Sequence, residues 1–232
     1  SAAQGSRVVY TFTPPAAPAA PSALNFTSIA SSSMTLNWTD NSSTETGFAI
    51  FKSENGGVSY NLIYTTAANV VTYPVTGLLP GTTYFWKIVA VNEGGSSSNL
   101  IASQVTNPPG SISSIANGAW SSAATWAGGV VPTAFDNVVI ANNVNVDVAT
   151  ATCYNLTVNN GSTLSCTGTT GVLTVGNNAS NNGIIDFYVG ASQYASLKFN
   201  NANNAVFGGT GTTDLNSLTI DKGSSNANIL EL

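Results

Sequence analysis

The chain has 232 residues, a formal net charge of −5 and a charged fraction of only 6%. This length allows one or two domains, each with its own hydrophobic core. The five Lys and Arg residues are scattered along the chain, which argues against nucleic acid and anionic membrane surfaces, because both bind clustered cations. No run approaches the roughly 20 apolar residues of a membrane-spanning helix, so we also expect no membrane insertion.

Asn, Ser, Thr and Gly supply most of the polarity of the chain. Thr favours strands, whereas Asn and Gly favour turns, so this composition favours an all-β fold. Histidine is absent, which removes the commonest general base and the commonest metal ligand. The two cysteines are too few for a structural zinc site. We therefore expect no cofactor and no metal centre.

The first predicted elements are a short strand and a linker. Residues 7–13 (RVVYTFT) alternate along a strand that two prolines follow, and a similar ending recurs at residues 101–109. We interpret residues 1–13 as the last strand of a preceding module. The alternative is a free strand that pairs with an exposed sheet edge of another subunit. Residues 14–21 (PPAAPAAP) predict a semi-rigid, extended linker.

Residues 22–107 predict a β-sandwich. Short alternating strands are separated by turns at intervals of roughly eight to twelve residues, which is typical of this architecture. The sequence Asn55-Gly56-Gly57 indicates a hairpin turn. The side chains that we expect to face the core are Met34, Leu36, Trp38, Phe48, Ile50, Tyr84, Trp86, Ile88 and Ala90.

Several motifs of this segment occur together in one known family. They are Pro21, the run WTDNSSTETGF from Trp38 to Phe48, Leu78, Pro80-Gly81-Thr82, Tyr84 and Ala90-Val91-Asn92. The segment resembles a fibronectin type III domain, with the core Trp and the tyrosine corner of that architecture. Asp40, Asn41 and Glu45 resemble the form of the motif found in bacterial secreted proteins. The Arg-Gly-Asp tripeptide of some animal modules is missing, so the resemblance does not imply integrin binding.

Residues 108–232 predict a stack of β-coils. Short apolar strands recur without helices, and the phrase NLTVNNGS at residues 155–162 returns as SLTIDKGS at residues 217–224. An internal repeat of unequal period, roughly 17 to 24 residues, is typical of a β-solenoid with variable turns, similar to a parallel β-helix. A second sandwich is the alternative. We expect the solenoid to be truncated at the C-terminus, where the sequence ends in mid-repeat.

This second half resembles the right-handed β-helical repeats that accompany fibronectin modules in large secreted bacterial proteins, especially cargo of the type IX secretion route. The motifs are Trp120, Trp126, Gly128-Gly129, Pro132, Asp136, residues 138–140 and the NLTV phrase at residues 155–158. The resemblance implies a rigid stalk or a binding surface.

Few residues are candidates for catalysis or metal binding. Glycoside hydrolysis usually needs two carboxyl groups at a fixed separation, and Asp136, Asp147, Asp186 and Asp214 lie in no recognisable signature. Calcium would require oxygens such as those of Asp40, Asn41 and Glu45, but side chains in such a loop more often bond their own backbone. We therefore predict no catalytic residue, and the chain is not expected to be an enzyme.

Two residue pairs remain as candidate sites. Trp120 and Trp126 are a possible platform for sugar rings, or they cap the open end of the solenoid, which is the interpretation we favour. Cys153 and Cys166 lie on neighbouring predicted strands. In an oxidising compartment they form a possible disulfide worth about 3 kcal/mol, and the alternative is two small buried hydrophobes.

The sequence thus predicts a non-catalytic segment of a large secreted or cell-surface bacterial protein, with adhesin-like or filament-like modules. The expected partners are other modules of the same long chain, neighbouring subunits or surface polysaccharide. The alternative function is a set of accessory glycan-binding modules of a secreted polysaccharide-degrading enzyme.

Overall fold

The computed structural model describes residues 13–166, 170–190, 193–200, 204–223 and 228–232. The chain divides into two compact units, Ser1–Asn107 and Pro108–Leu232. Both units are built from strands, so the predicted all-β class is confirmed. The strand predicted at residues 7–13 lies outside the described residues, apart from Thr13.

The first unit is a sandwich of two antiparallel sheets. Its strands are β1 (Ser22–Thr27), β2 (Ser33–Thr39), β3 (Gly47–Ser53), β4 (Asn61–Thr65), β5 (Thr72–Thr76), β6 (Thr83–Asn92), β7 (Gly95–Ser96) and β8 (Leu100–Val105). One sheet has the order β1-β2-β5. In the other, β3 lies between β4 and β6, and β6 also pairs with β7 and β8.

The core of the sandwich follows from the two-residue period of its strands, which directs alternate side chains to opposite faces. All nine side chains that the sequence assigned to the core are at most 5% exposed. Trp38 and Phe48 meet edge to face with ring centroids 5.5 Å apart. The predicted sandwich core is therefore confirmed.

Tyr84 ties the turn before β6 to the start of that strand. The backbone N–H of Leu79 donates to the Tyr84 hydroxyl oxygen at 2.8 Å, which is the hydrogen bond of a tyrosine corner. Burial raises the pKa of Tyr84, so the phenol stays protonated. Gly81, with φ of 57°, completes the turn, and its N–H donates to the carbonyl oxygen of Asn107 at 3.0 Å.

Residues 14–21, the predicted linker, lie against the sandwich. The Asn92 side-chain amide donates to the carbonyl oxygen of Ala16 at 2.9 Å, and that of Asn41 donates to Ala20 at 2.9 Å. Pro18 is buried. The segment therefore passes the far end of β6, at the opposite pole of the sandwich from Asn107.

The second unit winds through three sheets of parallel strands in about five coils, so the predicted solenoid is confirmed. The first solenoid sheet contains β9 (Gly110–Ser113), β11 (Asp136–Ile140), β14 (Asn155–Val158), β17 (Ala179–Asn181), β21 (Ala205–Gly208) and β24 (Leu230–Glu231). The second contains β10 (Gly118–Ala119), β12 (Val144–Asn145), β15 (Thr163–Ser165), β18 (Ile184–Asp186) and β22 (Thr212–Asp214). The third contains β13 (Thr150–Cys153), β16 (Thr170–Val175), β20 (Gln193–Phe199) and β23 (Ser217–Ile220), with β19 (Tyr188–Gly190) antiparallel to β20. Two 3-10 helices, Ala123–Thr125 and Ala127–Gly129, follow β10.

The coils differ in length because their corners differ. Asn137 and Asn155 occupy matching positions 18 residues apart, whereas Asn178 and Val206 are 28 residues apart. The upper limit of the predicted period, roughly 24 residues, was therefore too short. The longest coil contains β19, which folds back on the start of β20 and adds residues without adding a side to the solenoid.

Inward side chains of the solenoid stack in rows from coil to coil. In the third sheet the strand register aligns Ala151 with Leu173 and Leu197, and Cys153 with Val175 and Phe199. Each of these side chains is at most 1% exposed. Because a coil cannot bury such a row alone, each coil depends on its neighbours for its core.

Asparagine side chains join successive coils where the third sheet passes into the first. The Oδ1 atom of Asn155 accepts from the backbone N–H of Asn178 at 2.9 Å, and that of Asn178 accepts from Val206 at 2.9 Å. The Asn155 amide also donates to Oδ1 of Asn137 at 2.6 Å. These contacts satisfy corner amides that the strand ladders leave unpaired.

A second asparagine corner joins the first and second sheets. Asn117 Oδ1 accepts from the N–H of Asn143 at 2.9 Å, and Asn143 Oδ1 accepts from Thr163 at 3.1 Å. At the same corner a Cβ on Gly183 would collide with the carbonyl oxygens of Asn159 and Ser162. At position 183 the coils thus approach too closely for any side chain.

We expect Tyr84→Phe to destabilise the sandwich by about 1–2 kcal/mol, because the Leu79 N–H loses its partner in a partly buried turn. Urea unfolding of the sandwich transition measures this change. The control is Tyr64→Phe, since Tyr64 is 50% exposed, and it should shift stability by less than about 0.5 kcal/mol. Equal effects of the two substitutions would contradict the role of the corner.

We expect Asn155→Ala to destabilise the solenoid by about 1–3 kcal/mol, because it leaves the Asn178 N–H and the Asn137 side chain without their partner. The matched control is Asn159→Ala, at an exposed position in the same coil. Thermal unfolding followed by circular dichroism compares the two variants. If Asn159→Ala lowers stability as much as Asn155→Ala does, the asparagine contacts between coils contribute nothing specific.

Candidate functional site

The sandwich carries an apolar outward stripe across the sheet of β3 and β6. Lys87 lies beside Phe51 and Ile101 in the strand register, and Phe51 lies beside Leu62. Leu62 and Ile101 are 57% and 52% exposed. The Lys87 ammonium stands 4.1 Å from the centroid of the Phe51 ring and 5.2 Å from that of Tyr60.

The outward stripe, defined as Phe51, Tyr60, Leu62, Lys87 and Ile101, combines exposed hydrophobic area with one cation. Contiguous exposed apolar patches mark interaction sites, and aromatic side chains are enriched among the residues that dominate binding energy at interfaces. Sequence reasoning missed the stripe because it followed only the inward face of each strand. The available signal was that Phe51 and Ile101 place apolar side chains at outward positions.

The solenoid presents a shallow groove of about 470 Å³ on the outer face of its first sheet. The residues that line it are Asn155, Leu156, Thr157, Asn178, Ala179, Ser180, Val206, Gly208 and Gly209. This lining offers amides, hydroxyls and aliphatic surface, and it contains no titratable side chain. The groove therefore suits a neutral, hydrogen-bonding ligand and supplies no group for acid–base chemistry.

The four aspartates that sequence reasoning considered are not gathered into one site. Asp136 accepts from the backbone N–H and the hydroxyl of Thr133 at 2.9 and 2.7 Å, which closes a turn. Asp147 accepts from the N–H and hydroxyl of Ser121 in the preceding coil. Asp186 and Asp214 are aligned on β18 and β22. Within the described residues no cluster of three or more His, Cys, Asp or Glu side chains could hold a metal ion.

The environment of Asp147 keeps its carboxylate ionised. Partial burial raises the pKa of Asp147, but the two hydrogen bonds from Ser121 outweigh it and bring the pKa below its ordinary value. A carboxylate held in this way is an acceptor that ties two coils together. It is poorly suited to the general acid of a glycosidase, which needs a raised pKa.

The loop of Asp40, Asn41 and Glu45 bonds its own surroundings. Asp40 accepts from the N–H of Ser42 at 2.9 Å, and Glu45 accepts from the N–H of Asn69 at 3.3 Å. Hydrogen bonds to its own backbone, to Ser42 and to Asn69 lower the pKa of Glu45. These contacts support the loop-stabilising interpretation that the sequence favoured over calcium.

Trp120 and Trp126 are enclosed at the start of the solenoid core. They are 2% and 0% exposed, and their rings meet edge to face with centroids 5.1 Å apart. The indole N–H of Trp126 donates to the carbonyl oxygen of Trp120 at 2.8 Å. A sugar ring stacks on an exposed aromatic face, so this geometry gives no support to the glycan-stacking interpretation and favours capping.

Cys153 and Cys166 both belong to the solenoid core. The register places Val175 beside Cys153 in the next coil, while Cys166 follows the end of β15 on the second sheet. Cys153 is a free thiol, and burial raises its pKa well above the ordinary value. This arrangement favours two buried hydrophobes, and the disulfide between them stays a prediction.

Similarity to known proteins is concentrated in the first half of the chain. Residues 19–105 match the family model of the fibronectin type III domain. A search of curated proteins found no match. Within the described residues, no helix has the length and apolar character needed to cross a membrane.

Three solved structures illustrate the likeness. FN3tt is 28% identical and matches 41% of this chain and 98% of its own, with a TM-score of 0.35. A computationally redesigned β-sandwich protein is 21% identical over 38% of this chain and 90% of its own, with a TM-score of 0.35. A myokine is 18% identical over 39% of this chain and 99% of its own, also at 0.35. Together, the family match and the sandwich geometry show that residues 19–105 are a fibronectin type III domain, and a β-solenoid follows it.

Proposed function

We propose that the chain is a non-catalytic segment of a large secreted or cell-surface bacterial protein, with adhesin-like or filament-like modules. The fibronectin type III domain acts as a spacer and interaction module, and the solenoid acts as a rigid stalk or binding surface. The observation that carries this proposal is that several side chains considered as catalytic candidates bond the fold itself or lie in its core. Asp136 closes a turn, Asp147 joins two coils, and Cys153 is a core residue.

The stalk role rests on the way the coils are joined. Parallel strands rise by roughly 4.8 Å per coil, so about five coils extend roughly 24 Å along the solenoid axis. Asparagine contacts cross between coils at two corners, and they resist sliding of one coil over the next. A segment built in this way holds neighbouring modules at a set distance.

The interaction role rests on the outward stripe of the sandwich. The exposed Ile101 lies beside Lys87, the one cation of the stripe, and the exposed Leu62 lies beside Phe51. The Lys87 ammonium forms ring contacts with Phe51 and Tyr60. Such a surface suits another module of the long chain or a neighbouring subunit. The bacterial setting and export through the type IX route are part of the proposal, and they are supported by the motif resemblances in both halves.

Antibodies against the chain should label intact, unpermeabilised cells of the source organism or detect the protein in the culture medium. A cytoplasmic protein of known abundance, probed on the same cells, is the control for lysis. Labelling that appears only after permeabilisation, with the protein in the cytosolic fraction of spheroplasts, would contradict an extracellular role.

The neutral groove on the first solenoid sheet favours a second candidate function, glycan binding beside a polysaccharide-degrading enzyme. In a glycan array the whole chain would then retain at least one polysaccharide, and Ser180→Phe, which fills the groove, would lower retention at least tenfold. Thr174→Phe, on the third sheet, is the matched control. Equal retention by both variants, or no retention by the unmodified chain, counts against this function.

A further inference from the structure

The outer face of the second solenoid sheet carries two neighbouring carboxylates. Asp186 of β18 and Asp214 of β22 are aligned in the parallel register, so their backbones lie roughly 4.8 Å apart. In the part of the chain that the structure describes, neither carboxylate forms an ion pair. Because like charges side by side on adjacent strands are destabilising, this position is stabilised by any cation that another molecule brings to it.

Apolar side chains lie on both sides of Asp186 along the chain. Ile185 and Phe187 are fully buried in the solenoid core, whereas Ile184 and Tyr188 are 46% and 48% exposed. The two-residue period of the strand therefore turns Asp186 outward together with exposed apolar neighbours. We call the following four residues the acidic patch: Ile184, Asp186, Tyr188 and Asp214.

The outward stripe of the sandwich repeats this pattern with the opposite charge. Across its strands, Lys87 lies between Phe51 and Ile101. The other lysines that the structure describes are either paired with a carboxylate or buried. Lys87 is thus, among the described cations, the accessible one that has no carboxylate partner. The stripe and the acidic patch each hold an unneutralised charge between apolar side chains, and the two charges are opposite.

We propose that the outward stripe of one copy of the chain docks on the acidic patch of a second copy. The contact places the Lys87 ammonium beside Asp186 and Asp214. The apolar side chains of the stripe then pack against Ile184 and Tyr188. Burial of exposed apolar area and pairing of opposite charges occur in the same contact, which is the usual composition of a specific interface. This inference rests on the interaction role proposed for the stripe and names its partner.

The charges also decide which surfaces meet. Two outward stripes facing each other bring two Lys87 ammonium groups together, and two acidic patches facing each other bring four carboxylates together, so both pairings are disfavoured. A contact between a stripe and a patch is heterologous, and each copy that makes it keeps one unused surface. Such contacts add further copies and produce rings or open chains rather than closed two-fold dimers.

Charge-reversal variants of the whole chain test the proposal. The stripe variant carries Lys87→Glu, and the patch variant carries Asp186→Lys and Asp214→Lys. The unmodified chain should form oligomers that grow with concentration in sedimentation velocity. Each variant alone should associate at least about tenfold more weakly, because its stripe and its patch then carry charge of the same sign. The control is Glu93→Lys, an exposed charge outside both surfaces, which should assemble like the unmodified chain.

An equimolar mixture of the two variants gives the sharpest measurement. The reversed stripe of one variant faces the reversed patch of the other, and the two unreversed surfaces also match, so oligomers should return. A variant that has lost its fold cannot produce this recovery. Association of the unmodified chain should also weaken as the salt concentration rises, since exposed charges are screened.

Three results would overturn the proposal: an unmodified chain that stays monomeric at every concentration, single variants that assemble as well as the unmodified chain, or a mixture of variants, each folded by circular dichroism, that does not recover. Assembly that EDTA abolishes would overturn it in favour of a divalent cation bound at the acidic patch. Antibody labelling of intact cells does not depend on this contact, so a failure of the docking and a failure of the proposed extracellular function are distinguishable.

Discussion

The solenoid depends on one constraint: the backbone amides at its corners must find partners in a neighbouring coil. Hydrogen bonds between strands pair the backbone groups on the flat sides of the solenoid, but these bonds stop where the chain bends. Asn155, Asn178 and Asn143 fill this gap, because an amide side chain accepts a hydrogen bond from the coil that follows it. Coils of different length can then stack in one column, since the same kind of contact spans 23 residues between Asn155 and Asn178 and 28 residues between Asn178 and Val206. The low charge of the chain is consistent with this design, because stacked coils would place like charges side by side.

The same constraint explains why a side chain considered as a catalytic candidate can serve to stabilise the fold. A carboxylate at a corner, such as Asp147, serves the same purpose as an asparagine and accepts from the preceding coil. Polar groups that are used in this way are not available for a substrate. What the fold leaves free are surfaces: the outward stripe of the sandwich and the neutral groove of the solenoid. The proposed functions rest on these surfaces, which suit binding and assembly.

Much of the fold was predictable because its signals are local. The two-residue period placed Leu36 and Trp86 in the core, and the spacing of Pro80, Gly81 and Tyr84 indicated the tyrosine corner, which a single hydrogen bond confirms. The candidate sites were less predictable. Trp120 and Trp126 lie six residues apart in sequence whether they face solvent or core, and only packing shows that both rings are enclosed.

The sequence alone determined the strand periodicity, the two kinds of module and the scarcity of catalytic groups, because each follows from residue type and short-range spacing. Only the tertiary structure decided which residues meet across coils. The longest coil exceeded the expected period because β19 folds back on β20, and the strand register places Val175 of the next coil beside Cys153. Register between coils depends on how many residues each corner absorbs. That number is set by three-dimensional packing and cannot be deduced from any short stretch of the chain.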